Sequence, residues 1–544
     1  MKKTFYVTTP IYYTNAPIHL GGAYTTIAAD VLARWHRLRG EEVFFLTGTD
    51  EHGQKIQEIA EKNGKKPKEF VDEIVKEFKE AFKMLNISND NFIRTTDKEH
   101  EKGVKAVLQE LYDKKFIYRG SYESCYCVGC EQYLTDSDLV DGKCPLHNRE
   151  PERRKEESYL FKLSSFQKKL LKLIKTGEYQ ILPEYRRKEI ITFLESGLKD
   201  ISISRLKEKV SWGIELPFDK NHTCFVWVDA FWNYVSGLKG KKAFDKFWPA
   251  DVQLMAKDIF RVHATIWPAL LLALDYKLPK TLFIHGYFTV NGTKMSKSLG
   301  NVISPIYLAE KYGADSVRYF LMRNIPFGSD GDFSENALIE RNNNELANKL
   351  GNLVSRVSTL VEKYGTEKIE NKLFLSTKWK RIIKEGRAEI EIILEDDILD
   401  KKINLIRGSR AHVLKVKDKR KGDPLDLIIS EHTELFCEVT KLFIERLIDN
   451  YEFDKALNKI FELIDHCNWY IQIKKPWKNH DKKVLYKLME SIRIISILLY
   501  PFIPETSEKI NKQLGIKLGL LKDCKFGLIK SYSVKKEGVL FKKV

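Results

Sequence analysis

The spacing of apolar residues changes along the chain. Phe5 to Thr9 is a short β-prone run, and Val43 to Thr47 reads as a second buried strand. Between them Leu20, Tyr24, Ile27, Ala28, Val31, Leu32, Trp35 and Leu38 recur at helical spacing. Amphipathic helices are expected from about Gln54 to Leu85 and from Lys98 to Lys115. This order of strands and helices argues for a doubly wound parallel sheet. From about Gly120 to Gly213 the pattern turns to Cys, Gly and charge, then to amphipathic segments. The α/β alternation returns from about Phe225 to His285. The sheet domain is therefore expected to be split by an insertion of about a hundred residues.

From Ser304 onward the pattern is mostly helical. Leu346, Leu350, Leu353, Val354, Val357, Leu360 and Val361 form one stripe, and Leu435, Phe436, Val439, Leu442, Phe443 and Leu447 form another, as in a helical bundle. Lys401 to Gly422 interrupts it with nine Lys or Arg and one Asp, and part of it reads as a loop. The tail from Cys524, with its apolar Gly538-Val-Leu-Phe541, predicts a short terminal β element.

Composition adds a partner and a compartment. The chain has 544 residues, 43% of them apolar, which suits large cores; at about 150 residues per domain three or four domains are expected. Lys and Arg number 92 against 75 acidic residues, a formal net charge of +17. Such a surplus suits a polyanion, nucleic acid first and an acidic membrane second, unless it is solubility charge spread over all faces. No run of 18 apolar residues exists; the nearest, Val262 to Leu274, is short and holds His263 and Pro268. The start carries no apolar signal core, so a cytoplasmic protein is expected.

Three clusters carry candidate chemistry. Pro17-Ile-His-Leu-Gly-Gly22 joins the first strand to the first helix. Amides at such a turn favour phosphate, Gly21 and Gly22 allow close backbone approach, and His19 can donate to a phosphate oxygen. Gly292-Thr-Lys-Met-Ser-Lys-Ser-Leu-Gly300 sets two lysines and two serines between glycines, able to close over a triphosphate. Cys127-Val-Gly-Cys130 and, after thirteen residues, Cys144-Pro-Leu-His147 have the spacing of a closed tetrahedral zinc site. Cys125 is a competing ligand, with an awkward bite beside Cys127.

The two phosphate clusters resemble the HIGH and KMSKS motifs of class I aminoacyl-tRNA synthetases. Lys294, Met295, Ser296, Lys297 and Ser298 match all five letters of the second. The first matches at His19 and Gly21, with Leu20 for Ile, but Gly22 stands where the family has a second histidine that helps bind triphosphate; a neighbouring side chain or a water could substitute. Thr9-Pro-Ile-Tyr-Tyr-Thr-Asn15, Gly48-Thr-Asp-Glu-His-Gly-Gln-Lys-Ile56, Val226-Trp-Val-Asp-Ala230, Lys257-Asp-Ile259, His285-Gly-Tyr287 and Gly313-Ala-Asp-Ser-Val-Arg-Tyr-Phe320 extend the resemblance to methionyl-tRNA synthetases through nearly the whole chain.

The resemblance implies methionine activation by Mg2+-ATP, then transfer to the 3′ adenosine of initiator and elongator tRNA(Met). It assigns catalysis to His19, Lys294 and Lys297, and ATP binding to these with Gly21, Gly22, Met295, Ser296 and Ser298. It gives the methionine pocket to Pro10, Ile11, Tyr13, Asp50, Trp227, Ala230, Phe231, Tyr234, Ile259 and His263. The chemistry agrees: a thioether suits a polarizable aromatic wall, and an α-ammonium needs one carboxylate. One structural zinc is implied at Cys127, Cys130, Cys144 and His147. Asn352 and Arg356, one helical turn apart, and Trp477 after a helix stop match the anticodon readers of the family; aromatics stack on single-stranded bases and Asn and Arg bond their edges. By spacing alone the first two are a plain exposed helix face.

The implied fold is a split Rossmann-type parallel-sheet catalytic domain with a zinc-knuckle insertion, followed by an all-α anticodon-binding bundle. The expected division is 1–119 and 214–300 for the catalytic halves, 120–213 for the connective insertion, 301–340 for a stem-contact linker, 341–520 for the bundle and 521–544 for a tail. The stretch near 386–432 looks longer than the family pattern; its basic cluster suits either the tRNA backbone or the solvated tail of a helical hairpin. With no C-terminal OB domain in the sequence, a monomer is expected. Two readings compete. A synthetase for Leu, Ile or Val normally carries an editing domain of about two hundred residues, which the interval between the motifs does not hold, and neither these nor a Cys enzyme explains the methionine-pocket residues. A non-catalytic tRNA- or RNA-binding relative is opposed by the intact Lys294 to Ser298.

Overall fold

A computed structural model describes the chain except residues 1, 130–131, 135–138, 146–147, 291, 296–301, 368–376, 385–386, 395–401, 407–412 and 418–432. The backbone alone is described at 122–124, 132–134, 154, 156, 293–294, 377–384, 387–394, 402–406, 413–417 and 435. Two units emerge, Met1–Glu335 and Asn336–Val544.

The first unit is built on a seven-stranded sheet. Its central strand Thr4–Thr8 pairs in parallel with Glu42–Asp50 on one side and Val252–Ala256 on the other. Thr281–His285 continues the second side, and Asn91–Arg94 flanks the first. The order thus reverses at the central strand, as in a doubly wound fold. The run Val43-Phe-Phe-Leu46 carries no alternation because parallel strands are covered on both faces. The helix Leu20–Leu38 has the expected bounds, and nearly every residue of it is buried. The stretch expected from Gln54 to Leu85 is two helices, Gln54–Lys62 and Pro67–Met84; Gly64 at φ +65° turns the chain, and Pro67 opens the second helix with its fixed φ.

The interval 120–213 is not wholly outside the main sheet. Its strand Gln180–Leu182 pairs in parallel with Thr281–Phe283 and forms an edge of that sheet. Three residues are too short for any period to reveal. The rest includes a four-stranded antiparallel sheet of Ile117–Cys127, Gln132–Leu134, Glu152–Phe161 and Ile201–Ser202.

A buried ionic cluster ties the first helix to Ala314–Arg323. The Asp30 carboxylate accepts from Arg34 Nε (2.8 Å), Arg318 Nη2 (2.7 Å), and the amide and hydroxyl of Ser88 (2.8 and 2.6 Å). Burial pushes the Asp30 pKa up, but the two guanidiniums and Ser88 outweigh it and the net shift is downward.

The second unit is helical, apart from one small sheet. Its main helices are Asn352–Tyr364, Thr433–Asp449, Phe453–Lys474, Lys482–Leu499 and Pro504–Gln513. Leading into the first, Asn342–Gly351 is wound as a π-helix, with Asn342, Leu346 and Leu350 buried at four-residue intervals. The expected stripe over 346–361 is buried except for half-buried Leu360. In Thr433–Asp449 the buried line is instead Cys437, Thr440, Ile444 and Ile448. Phe436, Val439, Leu442, Phe443 and Leu447 are half-buried, because the helix wedges between two others and its apolar stripe flanks the seam.

One further expectation fails here, and another is left partly outside the described residues. Residues 524–544 form no strand; Val539 is 75% exposed. The segment is held by side chains instead: Arg493 donates to the Asp523 and Lys525 carbonyls (2.7 and 2.6 Å), Glu490 accepts from Gly527 N (2.7 Å), and Asn342 Nδ2 donates to Lys542 O (3.0 Å). The stretch expected to be partly loop contains the strands Lys402–Ile406 and Val413–Lys417, paired with Thr377–Lys384 and Arg387–Leu394 in an antiparallel meander. Between them 407–412 lies outside the described residues. No helix among the described residues is long and apolar enough to cross a membrane.

Candidate active site

The first unit contains a cavity of about 390 Å³ at the carboxyl ends of the parallel strands. Pro10 follows the central strand, Asp50 ends Glu42–Asp50, Ala256 ends Val252–Ala256 and His285 ends Thr281–His285; all four line it. Ligands bind at this position in open α/β sheets because the strand order reverses there and leaves a crevice.

One wall is aromatic. Trp227, Ala230 and Phe231 come from the helix Val226–Phe231, Tyr234 from the next turn, and Ile259 and His263 from the start of Phe260–Ala273. Phe231 stacks on Trp267, with centroids 5.8 Å apart, and meets His263 edge to face at 4.9 Å. His263 Nδ1 lies 2.9 Å from the Ile259 carbonyl, which can only accept, so that nitrogen carries the proton. Its Nε2 then accepts from the Tyr234 hydroxyl at 2.9 Å. Burial pushes the His263 pKa down to about 4, so the ring is neutral at neutral pH. The wall offers shape, polarizability and no charge.

The opposite wall carries the carboxylate. Tyr13 pairs with Asp50 across the sheet, and the Asp50 carbonyl accepts from Thr14 N at 3.0 Å. Behind it, Asp229 accepts from His52 Nδ1 (2.7 Å) and His100 Nε2 (2.9 Å). This knot fastens the Val226–Phe231 helix to the loop after Asp50. Burial alone lowers the His52 pKa, but Asp229, then Glu101 and Glu51, outweigh it and raise it overall.

At the far side of the cavity, His19 is the exposed N-cap of Leu20–Leu38, its Nδ1 accepting from Gly21 N at 3.1 Å. His19, Gly21, Gly22 and buried Met295 all border the cavity. Leu20 N donates to Ile303 O at 3.0 Å, which ties the first phosphate motif to the segment that follows the second. Lys294 sits in a short strand paired with Thr289; Ser296, Lys297 and Ser298 lie outside the described residues. A Cβ at Gly22 would approach Ile18 Cγ1 to 2.9 Å, so glycine is the residue that fits between Ile18 and Tyr12.

All ten expected methionine-site residues therefore border this one cavity. Tyr12, Tyr24, Thr25, Asn233 and His285 border it too, none of them assigned to the site from sequence. Tyr12 and His285 lie within segments of the resemblance, which was signal enough to find them. Thr25 Oγ1 is 2.7 Å from His285 Nε2, and His285 Nδ1 donates to Gly286 O at 2.7 Å; burial pushes the His285 pKa down to about 4.

The metal and tRNA candidates lie elsewhere. Cys127 ends the strand Ile117–Cys127 and is buried. Cys144 is buried in a turn where Asn148 N donates to its carbonyl at 2.8 Å. Two buried thiols beside tight turns are donors that suit zinc. Cys130 and His147 lie outside the described residues, among which no group of three metal-ligating side chains occurs. In the second unit the Arg356 guanidinium lies 5.7 Å from the Trp477 ring centroid. Asn352 is exposed one turn earlier on the same helix.

The family model for class I tRNA synthetases (M) matches residues 5–150 and 137–358, and that for the anticodon-binding domain of tRNA ligases matches 437–535. The methionine--tRNA ligase of Caldanaerobacter subterraneus subsp. tengcongensis is 43% identical over 100% of this chain and 79% of its own. The chain belongs to the methionyl-tRNA synthetase family. Another member, from Rickettsia conorii, is 41% identical over 95% of this chain and 94% of its own. A Mycobacterium tuberculosis methionyl-tRNA synthetase solved in complex with methionyl-adenylate has a TM-score of 0.84 at 32% identity, covering 99% of each chain. The parallel sheet and the helical second unit are those of this synthetase family.

Proposed function

We propose that the chain joins methionine to tRNA(Met) in two steps, in the cavity described above. The methionine carboxylate attacks the α-phosphorus of ATP, forming methionyl-adenylate and releasing pyrophosphate. A ribose hydroxyl of the tRNA 3′ adenosine then attacks the acyl carbonyl, and AMP leaves. No enzyme nucleophile is needed, so the chain's part is positioning and charge stabilisation. The observation that carries this reading is one cavity bordered by an uncharged aromatic wall, the Asp50 carboxylate at the end of its strand, a second carboxylate at Asp258 and the His19–Gly22 helix start.

Within it, the side chain of methionine lies against Tyr13, Trp227, Phe231 and Tyr234, with Pro10, Ile11, Ala230, Ile259 and His263 completing the pocket. Asp50 receives the α-ammonium. His19 and the amides near Gly21 and Gly22 hold phosphates, and Lys294, Met295, Ser296, Lys297 and Ser298 close over them. Mg2+ accompanies ATP and offsets phosphate charge. Cys127, Cys130, Cys144 and His147 hold one zinc, which cross-links the turn and takes no part in the reaction. Asn352, Arg356 and Trp477 read the anticodon of tRNA(Met). The working form is a cytoplasmic monomer, with the domain boundaries given by the sequence.

Methionine-dependent exchange of pyrophosphate into ATP tests the assignment. It should proceed without tRNA, and Lys297→Ala should slow it about a hundredfold or more. Exchange at near wild-type rate in that variant removes Lys297 from the mechanism; exchange driven by leucine or valine instead of methionine overturns the substrate.

A further inference from the structure

The four-stranded meander of the second unit lies between residues 358 and 437, outside both family-model matches. Its register sets two faces of different composition. Directly opposed residues of antiparallel strands share a face, and successive residues alternate. Trp379 opposes Ile392, which opposes Ile403, which opposes Val416. That face has twelve positions, ten of them apolar, with Thr377 and Arg381 the exceptions.

The other face is basic. Lys378, Lys380 and Lys384 fall on it from the first strand and Arg387 from the second. Lys402 from the third strand opposes Lys417 of the fourth, and Asn404 opposes Lys415. Seven of its fourteen positions are Lys or Arg, against two acidic ones, Glu389 and Glu391, one Asn and four apolar ones, Ile382, Ile393, Ile406 and Val413, so the sorting is partial on this face. Like charges directly opposed across strands destabilise a sheet by a few tenths of a kcal/mol or more, so Lys402 facing Lys417 is a cost without a folding benefit.

We infer that this basic face is a docking surface for the phosphate backbone of the tRNA being charged. The inference rests on the aminoacylation reading, which makes tRNA the polyanion that this chain handles. Residues two apart on a strand are about 6.8 Å apart and neighbouring strands about 4.8 Å, a grid of cations on the scale of successive phosphates. The face holds no aromatic position, so it supplies affinity and orientation without reading bases.

Filter binding of tRNA(Met) to the full chain across a salt series, with pyrophosphate exchange in parallel, tests this. Lys402→Gln/Lys415→Gln/Lys417→Gln should weaken tRNA binding about tenfold near 150 mM salt and lower the salt slope by about two to three, leaving methionine-dependent exchange unchanged. Glu389→Gln/Glu391→Gln should bind tRNA about threefold more tightly, a gain that a misfolded protein cannot give. Unchanged affinity and slope in both variants overturns the proposal. So does loss of exchange together with binding in the lysine variant when the glutamate variant shows no gain. If the lysine variant instead loses attachment to anionic lipid vesicles while keeping its tRNA affinity, the face is a membrane surface and the proposal is again overturned. A wild-type chain without methionine-dependent exchange removes the aminoacylation reading itself, and the tRNA surface with it.

Discussion

At Gly22 a single missing side chain changes the phosphate end of the cavity. The motif resemblance puts a histidine there, yet the site is filled by Ile18 and by Tyr12, whose hydroxyl donates to Gly22 O at 3.0 Å. Overpacking by even one methyl is therefore expected to outweigh the gain in helix propensity. Gly22→Ala should lower stability by about 1 kcal/mol in chemical unfolding, and in an Ile18→Ala background, itself destabilised by the lost core packing, the same change should cost much less. A stabilised Gly22→Ala would show that Ile18 yields freely. Residues of this kind were only half legible. The glycine could be read, but which atoms crowd it depends on how the loop before the helix returns.

At the scale of elements, positioning comes from buried charge. Asp30 and Arg318, both fully buried, join the first helix to Ala314–Arg323, although 288 residues separate them. Removing one partner leaves a charge in the core. Arg318→Met leaves Asp30 paired with Arg34, whereas Asp30→Asn strands both guanidiniums, so Asp30→Asn should cost about 3 kcal/mol and the double variant Asp30→Asn/Arg318→Met less than the sum of the two single losses; additive losses would refute the coupling. In the second unit Arg356 lies over Trp477, a pair that can hold an unstacked base. Trp477→Ala should reduce tRNA charging about tenfold to a hundredfold while leaving exchange within twofold of wild type. Equal loss of both activities would take Trp477 out of anticodon reading. Among the elements, long helices and buried strands were legible because they repeat a period. The edge strand Gln180–Leu182 and the strands of the meander were not: three residues hold no period, and a basic run reads as a loop until partners are found.

At the scale of the whole molecule, buried histidines set the response to acid. Burial pushes His263, His285 and His466 each down to about 4, against about 6.5 when unfolded. The unfolded chain therefore binds more protons between pH 6.5 and 4, so the stability these groups confer is complete above 6.5 and is lost as pH falls through that window. His52 runs the other way: its raised pKa adds stability below 6.5 that disappears as pH rises. Three groups against one make the net slope positive with pH. Calorimetry of the ligand-free chain should show a thermal midpoint falling steadily from pH 6.5 to 4.5, and His466→Phe should flatten the slope. A midpoint that rises on acidification, or an unaltered slope in the variant, would contradict this. The +17 charge likewise takes a location only at this scale, where half the positions of one sheet face are basic.

Local chemistry and period lay in the sequence itself: a parallel-sheet domain, a helical bundle, two phosphate motifs, a Cys–Cys and a Cys–His pair, and the family to which they belong. These follow from the order and spacing of side chains, which act over a few residues or recur in recognisable blocks. Tertiary structure alone decided which residues meet. It brought ten pocket residues spread from Pro10 to His263 around one cavity, fixed the His263 tautomer between Ile259 and Tyr234, and joined an edge strand from the insertion to the central sheet. Such contacts arise when distant segments bury surface together, and no local spacing encodes the partner.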